Sequence, residues 1–165
     1  MIDLKEIRNK IITKNNLYSL CVISIIFFLD RYTKLIILNN FNENSYYLND
    51  FINLDLIWNI GIGFGFLSTD SFLIYNLITL LIGFVILILF YFLVLSEKID
   101  KLIYSVIIGG ALGNFYDRLV YNAVPDFIDL HYKNFHWFTF NVADIFITVG
   151  IIIFVIKNLL IKENK

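Results

Sequence analysis

The chain has 165 residues, of which 59% are hydrophobic, 18% aromatic and only 16% charged, with a mean hydropathy of +0.76 and a net charge of −1. Soluble domains carry roughly 25% charge, so this composition excludes an ordinary soluble fold and points to an integral membrane protein. No basic stripe or basic-aromatic motif suggests a nucleic-acid partner, and the lone cysteine, Cys21, excludes an internal disulfide.

A spanning helix takes about 20 residues, and the chain has room for four in a single domain, 1–165. The first apolar run covers residues 17–38 and is interrupted by Asp30, Arg31 and Lys34. Cys21 falls inside it and is expected to be a small buried apolar side chain. Asp30 and Lys34 are four residues apart, hence on one helix face, where an ion pair can neutralise both. A basic leader precedes this run, but Asp30-Arg31 stands where a small-residue cleavage site would be required, so an uncleaved first span is expected.

Residues 39–70 are too long for a tight turn. The stretch "SYYLNDFINLDLIWNIGIGFGF" alternates β-branched and aromatic residues with polar ones, then places Gly61, Gly63 and Gly65 at every second position. This pattern predicts short strands or a hairpin, and Tyr46, Tyr47, Phe51 and Trp58 suit a headgroup layer. The second span, residues 71–95, has one end in the link that holds Lys98 and Lys101. The third, residues 102–120, ends in Asp117 and Arg118; the fourth, residues 143–160, begins with Asp144. The fold class expected is therefore all-α, with four transmembrane helices and a small extracytoplasmic β-rich segment.

Lys and Arg are retained on the cytoplasmic side of short connections. Lys5, Arg8, Lys10, Lys14, Lys98, Lys101, Lys157, Lys162 and Lys165 fall on one side and Lys133 alone on the other. Both termini are thus expected in the cytoplasm, with the two longer loops outside.

Charge within a membrane costs about 2.5–3.5 kcal/mol per residue on insertion scales, so clustered ionisable groups there pair or do work. Asn114, Asp117 and Arg118 fall at i, i+3 and i+4, one helix face. Gly109, Gly110, Ala111 and Gly113 just before them allow close approach of a neighbouring backbone. The residues leave open whether that polar face is architectural or meets a substrate. Asn141 and Asp144 have the spacing of a helix N-cap and its N3 partner, which accounts for them but not for Asp126, in the loop "VPDF" beside the only proline. If Asp126 and Asp144 converge, they share a proton: one activates water while the other polarises a carbonyl.

Other chemistries are poorly represented. The two histidines, His131 and His136, have no nucleophile turn upstream and no HExxH or other standard ligand spacing, so neither metal nor any other cofactor is expected, and both rings are placed at the membrane interface. Asp129 is expected to face water or cap a turn. A proton-coupled transporter is the alternative function, because membrane carboxylates also relay protons.

Five segments, "DRYTK" (30–34), "NIGIGFGF" (59–66), "GGALGNFYDR" (109–118), "VPDF" (124–127) and "FNVAD" (140–144), together resemble lipoprotein signal peptidase, also called signal peptidase II, the aspartic protease of bacterial lipoprotein maturation. The resemblance implies that Asp126 and Asp144 are the catalytic pair. It implies that Asn59, Asn114, Arg118 and Asn141 line the substrate site, and that Asp30, Lys34 and Asp117 support it. It also implies a substrate: a prolipoprotein whose signal peptide is removed just before a diacylglyceryl-modified cysteine, approached from the lipid at the outer face of the bacterial inner membrane. Arg31 and Gly63 depart from the family pattern, which usually has Gln and Ala there; the extra charge of Arg31 leaves its neighbours to be found.

Overall fold

The computed structural model describes residues 13–40, 45–61 and 71–163, with side-chain surroundings to residue 160. Gly63 and Gly65, the residues 41–44 and 62–70 of the expected β-rich segment, the backbone of Lys5, Arg8, Lys10 and Lys165 and the side chain of Lys162 lie outside that description.

Four helices carry the chain: α1 (Lys14–Asn40), α2 (Phe72–Leu95), α3 (Lys98–Tyr121) and α4 (Val142–Glu163). At 1.5 Å per residue even α4, with 22 residues, is about 33 Å long, enough for a hydrocarbon core of about 30 Å. Two stretches, α2 and Val142–Leu160 of α4, are long and apolar enough to cross a membrane by length and composition. The outward faces of all four are apolar: Phe28 and Tyr32 on α1, Leu80 and Leu87 on α2, Leu102 and Leu119 on α3, and Ile152 and Leu159 on α4 are exposed. Exposed apolar area on this scale is what a lipid solvent requires.

That inversion corrects one expectation. Cys21 is exposed, not buried, because it lies on the outward, apolar face of α1 that also exposes Ile25 and Phe28. The interior instead holds the polar groups, among them Asp30, Lys34, Asp117 and Asn141.

The ends of the helices follow local chemistry. Thr13 caps α1, its Oγ1 accepting the Asn16 N–H at 3.1 Å. The α2–α3 connection is shorter than expected, so Lys98 and Lys101 belong to α3 itself. Lys101 is buried and donates to Asn16 Oδ1 and, at 3.4 Å, to the Val94 carbonyl, tying three helices together at that end. Lys157 of α4 pairs with Asp100 nearby. At its other end α3 stops at Asn122, which is left-handed with φ 54°.

Central helix α3 packs against the other three, and its glycines make this close. A methyl group on Gly109 would lie 2.8 Å from Ile26 Cβ, on Gly110 2.6 Å from the Ala143 carbonyl oxygen, and on Gly113 2.4 Å from Asp30 Oδ2. Small residues thus let α1 and α4 both pack closely on α3.

The sheet is larger than the sequence suggests. Strands β1 (Tyr46–Asn49), β2 (Ile52–Asn59), β3 (Val124–Tyr132) and β4 (Phe135–Phe140) form one antiparallel sheet in chain order. The first two fulfil the expected hairpin. The last two occupy what reads as a loop connection, so the protein is helical with a four-stranded sheet and Asp126 sits on a strand. The missed signal was the alternation in "FIDLHY", with Ile128, Leu130 and Tyr132 between Asp129 and His131. Pro125 masked it; β4 pairs only from Ile128 onward, so one edge of β3 is open at the proline. Pairing of β2 with β3 joins the α1–α2 connection to the α3–α4 connection over the helix ends.

Gly113→Ala forces its new methyl group onto the Asp30 carboxylate. It is expected to cost about 1–3 kcal/mol, read as a lower thermal midpoint in detergent, whereas Ala111→Gly leaves that contact intact.

Candidate active site

The helix start and the strand each place one carboxylate. Asn141 is the N-cap of α4: its Oδ1 accepts the Asp144 N–H at 3.1 Å, while Asp144 Oδ2 accepts the Asn141 N–H at 3.1 Å. This reciprocal capping box fixes both side chains. On the sheet, Asn59 is the register partner of Val124, which makes Asp126, two residues along β3, its diagonal neighbour on the same face. Asn59 Nδ2 donates to Asp126 Oδ2 at 2.8 Å.

Asn141 joins the two. Its Nδ2 donates to Asp126 Oδ1 at 2.6 Å, so one residue binds both carboxyl groups, Asp126 through its side chain and Asp144 through its backbone N–H. Its orientation is fixed, because its oxygen is already used by a backbone N–H. The same holds for Asn59, whose Oδ1 accepts the Gly61 N–H at 2.8 Å. Asp126 is 2% exposed and Asp144 9%. Burial, and next the charge of Asp144, push the Asp126 carboxyl up to about 7, against the donors Asn59 and Asn141 and the more distant Lys34, which favour its ionised form.

A second layer lies beneath. Lys34 Nζ donates to Asp30 Oδ2 at 2.8 Å, Asp117 Oδ2 at 2.7 Å and Asn114 Oδ1 at 2.8 Å. Asn114 must therefore turn its Nδ2 outward, and it donates to Asp144 Oδ1 at 2.8 Å. Asp30 Oδ1 accepts the Ala143 N–H at 2.9 Å, one of the otherwise orphaned donors of the α4 first turn. The predicted Asp30–Lys34 pair is thus one part of a larger buried cluster that also takes in Asp117. Arg31 completes it: its Nη1 contacts Asp117 Oδ1, and its guanidinium lies 4.7 Å from the centre of the Tyr116 ring.

Not everything on the α3 face converges. Asn114 and Asp117 turn toward Lys34, but Arg118 reaches the end of β2, where Nη2 donates to the Gly61 carbonyl. Its guanidinium lies 5.7 Å from the Tyr75 ring centre. Arg118 Nη1 is buried with no hydrogen-bond partner among the described residues, a donor available to an incoming carbonyl. Gly61 itself, bound through both N–H and C=O, was not singled out for this role by the sequence.

Asp129 departs from expectation. It is buried, not facing water, and accepts from His136 Nδ1 at 2.7 Å, because β3 is an inner strand and β4 covers it. His131 is buried as well. Among the described residues no three His, Cys, Asp or Glu side chains converge as metal ligands.

The model of the family described as "Signal peptidase (SPase) II" matches residues 22–160. The chain belongs to that family. Among relatives, the lipoprotein signal peptidase of Pelagibacter ubique (strain HTCC1062) is 48% identical over 160 residues, covering 95% of this chain and 96% of the relative. That of Thermodesulfovibrio yellowstonii is 42% identical, covering 83% and 91%. A solved bacterial membrane enzyme, obtained by the in meso method, superposes with a TM-score of 0.76 at 30% identity, covering 90% of this chain and 91% of that one. This signal peptidase II is thus a membrane protein and a protease, and its five motif segments all lie inside the matched region.

Because Asp126 binds a proton more tightly folded than unfolded, where a carboxyl titrates near 4, stability should fall as pH rises from about 4 through about 7. Asn141→Ala removes a cap, costing about 1 kcal/mol, and a donor to Asp126, so it should also move the protonated-carboxyl infrared band of Asp126 to higher pH.

Proposed function

We propose that this signal peptidase II removes the signal peptide from diacylglyceryl-modified prolipoproteins by aspartic catalysis, with Asp126 and Asp144 as the reacting pair. The observation that carries this reading is that one residue, Asn141, holds two buried carboxyl groups, its side-chain amide donating to Asp126 on β3 and its backbone N–H to Asp144 on α4. A proton-coupled transporter finds no support in the family to which the chain belongs.

Each residue then has a task. The pair holds one proton, placed on Asp126 as the more deeply buried of the two. Asp144, facing the donors Asn141 N–H and Asn114 Nδ2, is the ionised base. It takes a proton from water as the oxygen attacks the scissile carbonyl, while Asp126 gives its proton to the carbonyl oxygen. The tetrahedral adduct collapses with cleavage of the C–N bond, the leaving nitrogen receiving the proton from Asp144 and Asp126 recovering its own from the adduct hydroxyl. No covalent acyl intermediate forms. Asn59, Asn114 and Asn141 hold the pair in place, and Arg118 Nη1 donates to a substrate carbonyl.

The membrane arrangement belongs to the same reading. All four helices span the bilayer as one domain, 1–165, with both termini cytoplasmic and the sheet on the outer face of the inner membrane. Support comes from the basic residues Lys14, Lys98, Lys101 and Lys157 at the end opposite the sheet, and from the exposed aromatic residues Tyr46, Phe51 and Trp58 on the sheet. A lipid-anchored substrate entering sideways would meet the carboxyl pair at that level.

Asp126→Asn and Asp144→Asn are each expected to lower precursor cleavage by about 10³-fold or more with unchanged thermal midpoint at low pH, followed by gel shift of a lipidated precursor. Cleavage by either variant at near wild-type rate would remove the assignment. In the wild type, kcat/KM should decline as pH rises past about 7, where the shared proton is lost.

A further inference from the structure

Arg31 touches neither carboxyl group of the proposed pair, yet it belongs to the buried charge cluster that Asn114 links to Asp144. Asp30, Lys34 and Asp117 have no solvent exposure and Arg31 has little. The four carry two positive and two negative charges, Arg31 and Lys34 both contacting Asp117 while Lys34 also contacts Asp30. From this balanced set two hydrogen-bond paths lead to the helix start: Lys34 through Asn114 to Asp144, and Asp30 to the Ala143 N–H.

We propose that Arg31 is a positioning residue that sets the pH range of catalysis, by neutralising Asp117 so that Lys34 is not the sole counter-ion of two carboxylates beneath the active pair. The inference rests on the reading of Asp126 and Asp144 as that pair. Without Arg31 the cluster carries one net negative charge, buried and weakly screened. A nearby negative charge favours protonated carboxyl groups. Both limbs of the kcat/KM profile then move to higher pH.

The charged groups nearest the pair are Lys34 and Asp30 of α1, the latter on the Ala143 N–H; on α3 Asp117 turns to Lys34 and Arg31 and Arg118 to the Gly61 carbonyl, and from β2 the contact is the neutral amide of Asn59. Arg31 itself faces Asp117, the Tyr121 hydroxyl at 3.4 Å and the Tyr116 ring on α3. Its stacking on Tyr116 holds the guanidinium in place, which an ammonium would not reproduce.

The test is the pH profile of kcat/KM for cleavage of a lipidated precursor by the full-length enzyme in detergent. Arg31→Gln should raise both limbs by about one pH unit, the order for a buried charge removed roughly 10 Å away at an effective dielectric near 20. Arg31→Lys should lower the rate but leave the limbs in place. Asp117→Asn should move them down, and the double variant Arg31→Gln/Asp117→Asn, neutral again, should return them to the wild-type positions. Limbs unchanged in Arg31→Gln, or displaced equally in Arg31→Lys, overturn the proposal and leave Arg31 a packing residue. Should Arg31→Gln fail to fold, the Asp117→Asn and double-variant profiles decide, limbs that coincide in the two overturning it. Failure of the underlying reading looks different: Asp126→Asn or Asp144→Asn would then retain cleavage.

Discussion

Everything at the sheet end of the molecule depends on one ammonium group. Lys34 has no access to solvent and spends its three N–H donors on Asp30, Asp117 and Asn114. A lone buried ammonium would be prohibitively costly, and a buried pair is worth keeping only when its remaining donors and acceptors are satisfied. Here they are, by groups from α1 and α3, and through Asp30 the α4 backbone is held as well. The arrangement leaves Asn114 one orientation only, with its NH2 toward Asp144. A charge cluster that does not touch Asp144 thereby fixes the rotamer of a side chain that does.

Glycine supplies the space. Gly113 lies where Asp30 Oδ2 must sit, and Gly110 where the α4 backbone crosses. The run of small residues that reads in sequence as a helix-packing feature is therefore also a condition of the polar cluster, since any side chain at 113 would take the volume of the carboxylate. Packing and electrostatics are here the same constraint seen from two sides.

The legible parts of this molecule were those set by local spacing. Helix limits followed from apolar runs, and the Asn141–Asp144 cap and the Asp30–Lys34 pair from offsets of three and four. What spacing could not supply was partnership across the chain. Asp117 joins Lys34 over 83 positions and Asn59 joins Asp126 over 67, contacts that no window of sequence contains; Asn59 was singled out through the family pattern alone. The second hairpin was legible in its alternation but hidden by Pro125, whose presence argues against a strand unless one edge is open. Asp129 and Cys21 were misplaced for opposite reasons: a covered strand buries a carboxylate that looks like a surface group, and a helix with an apolar outward face exposes a thiol that looks like a core group.

Pairing of β2 with β3 has a temporal corollary. Asn59 is made early, Asp126 much later, and Asp144 only as the last helix begins, so a nascent chain cannot assemble the constellation by halves. Until α4 docks against Gly110 and its opening turn donates an N–H to the Asp30 carboxylate, the strand aspartate has no companion. Order of synthesis thus keeps the two carboxyl groups of the proposed pair apart until the last helix is in place.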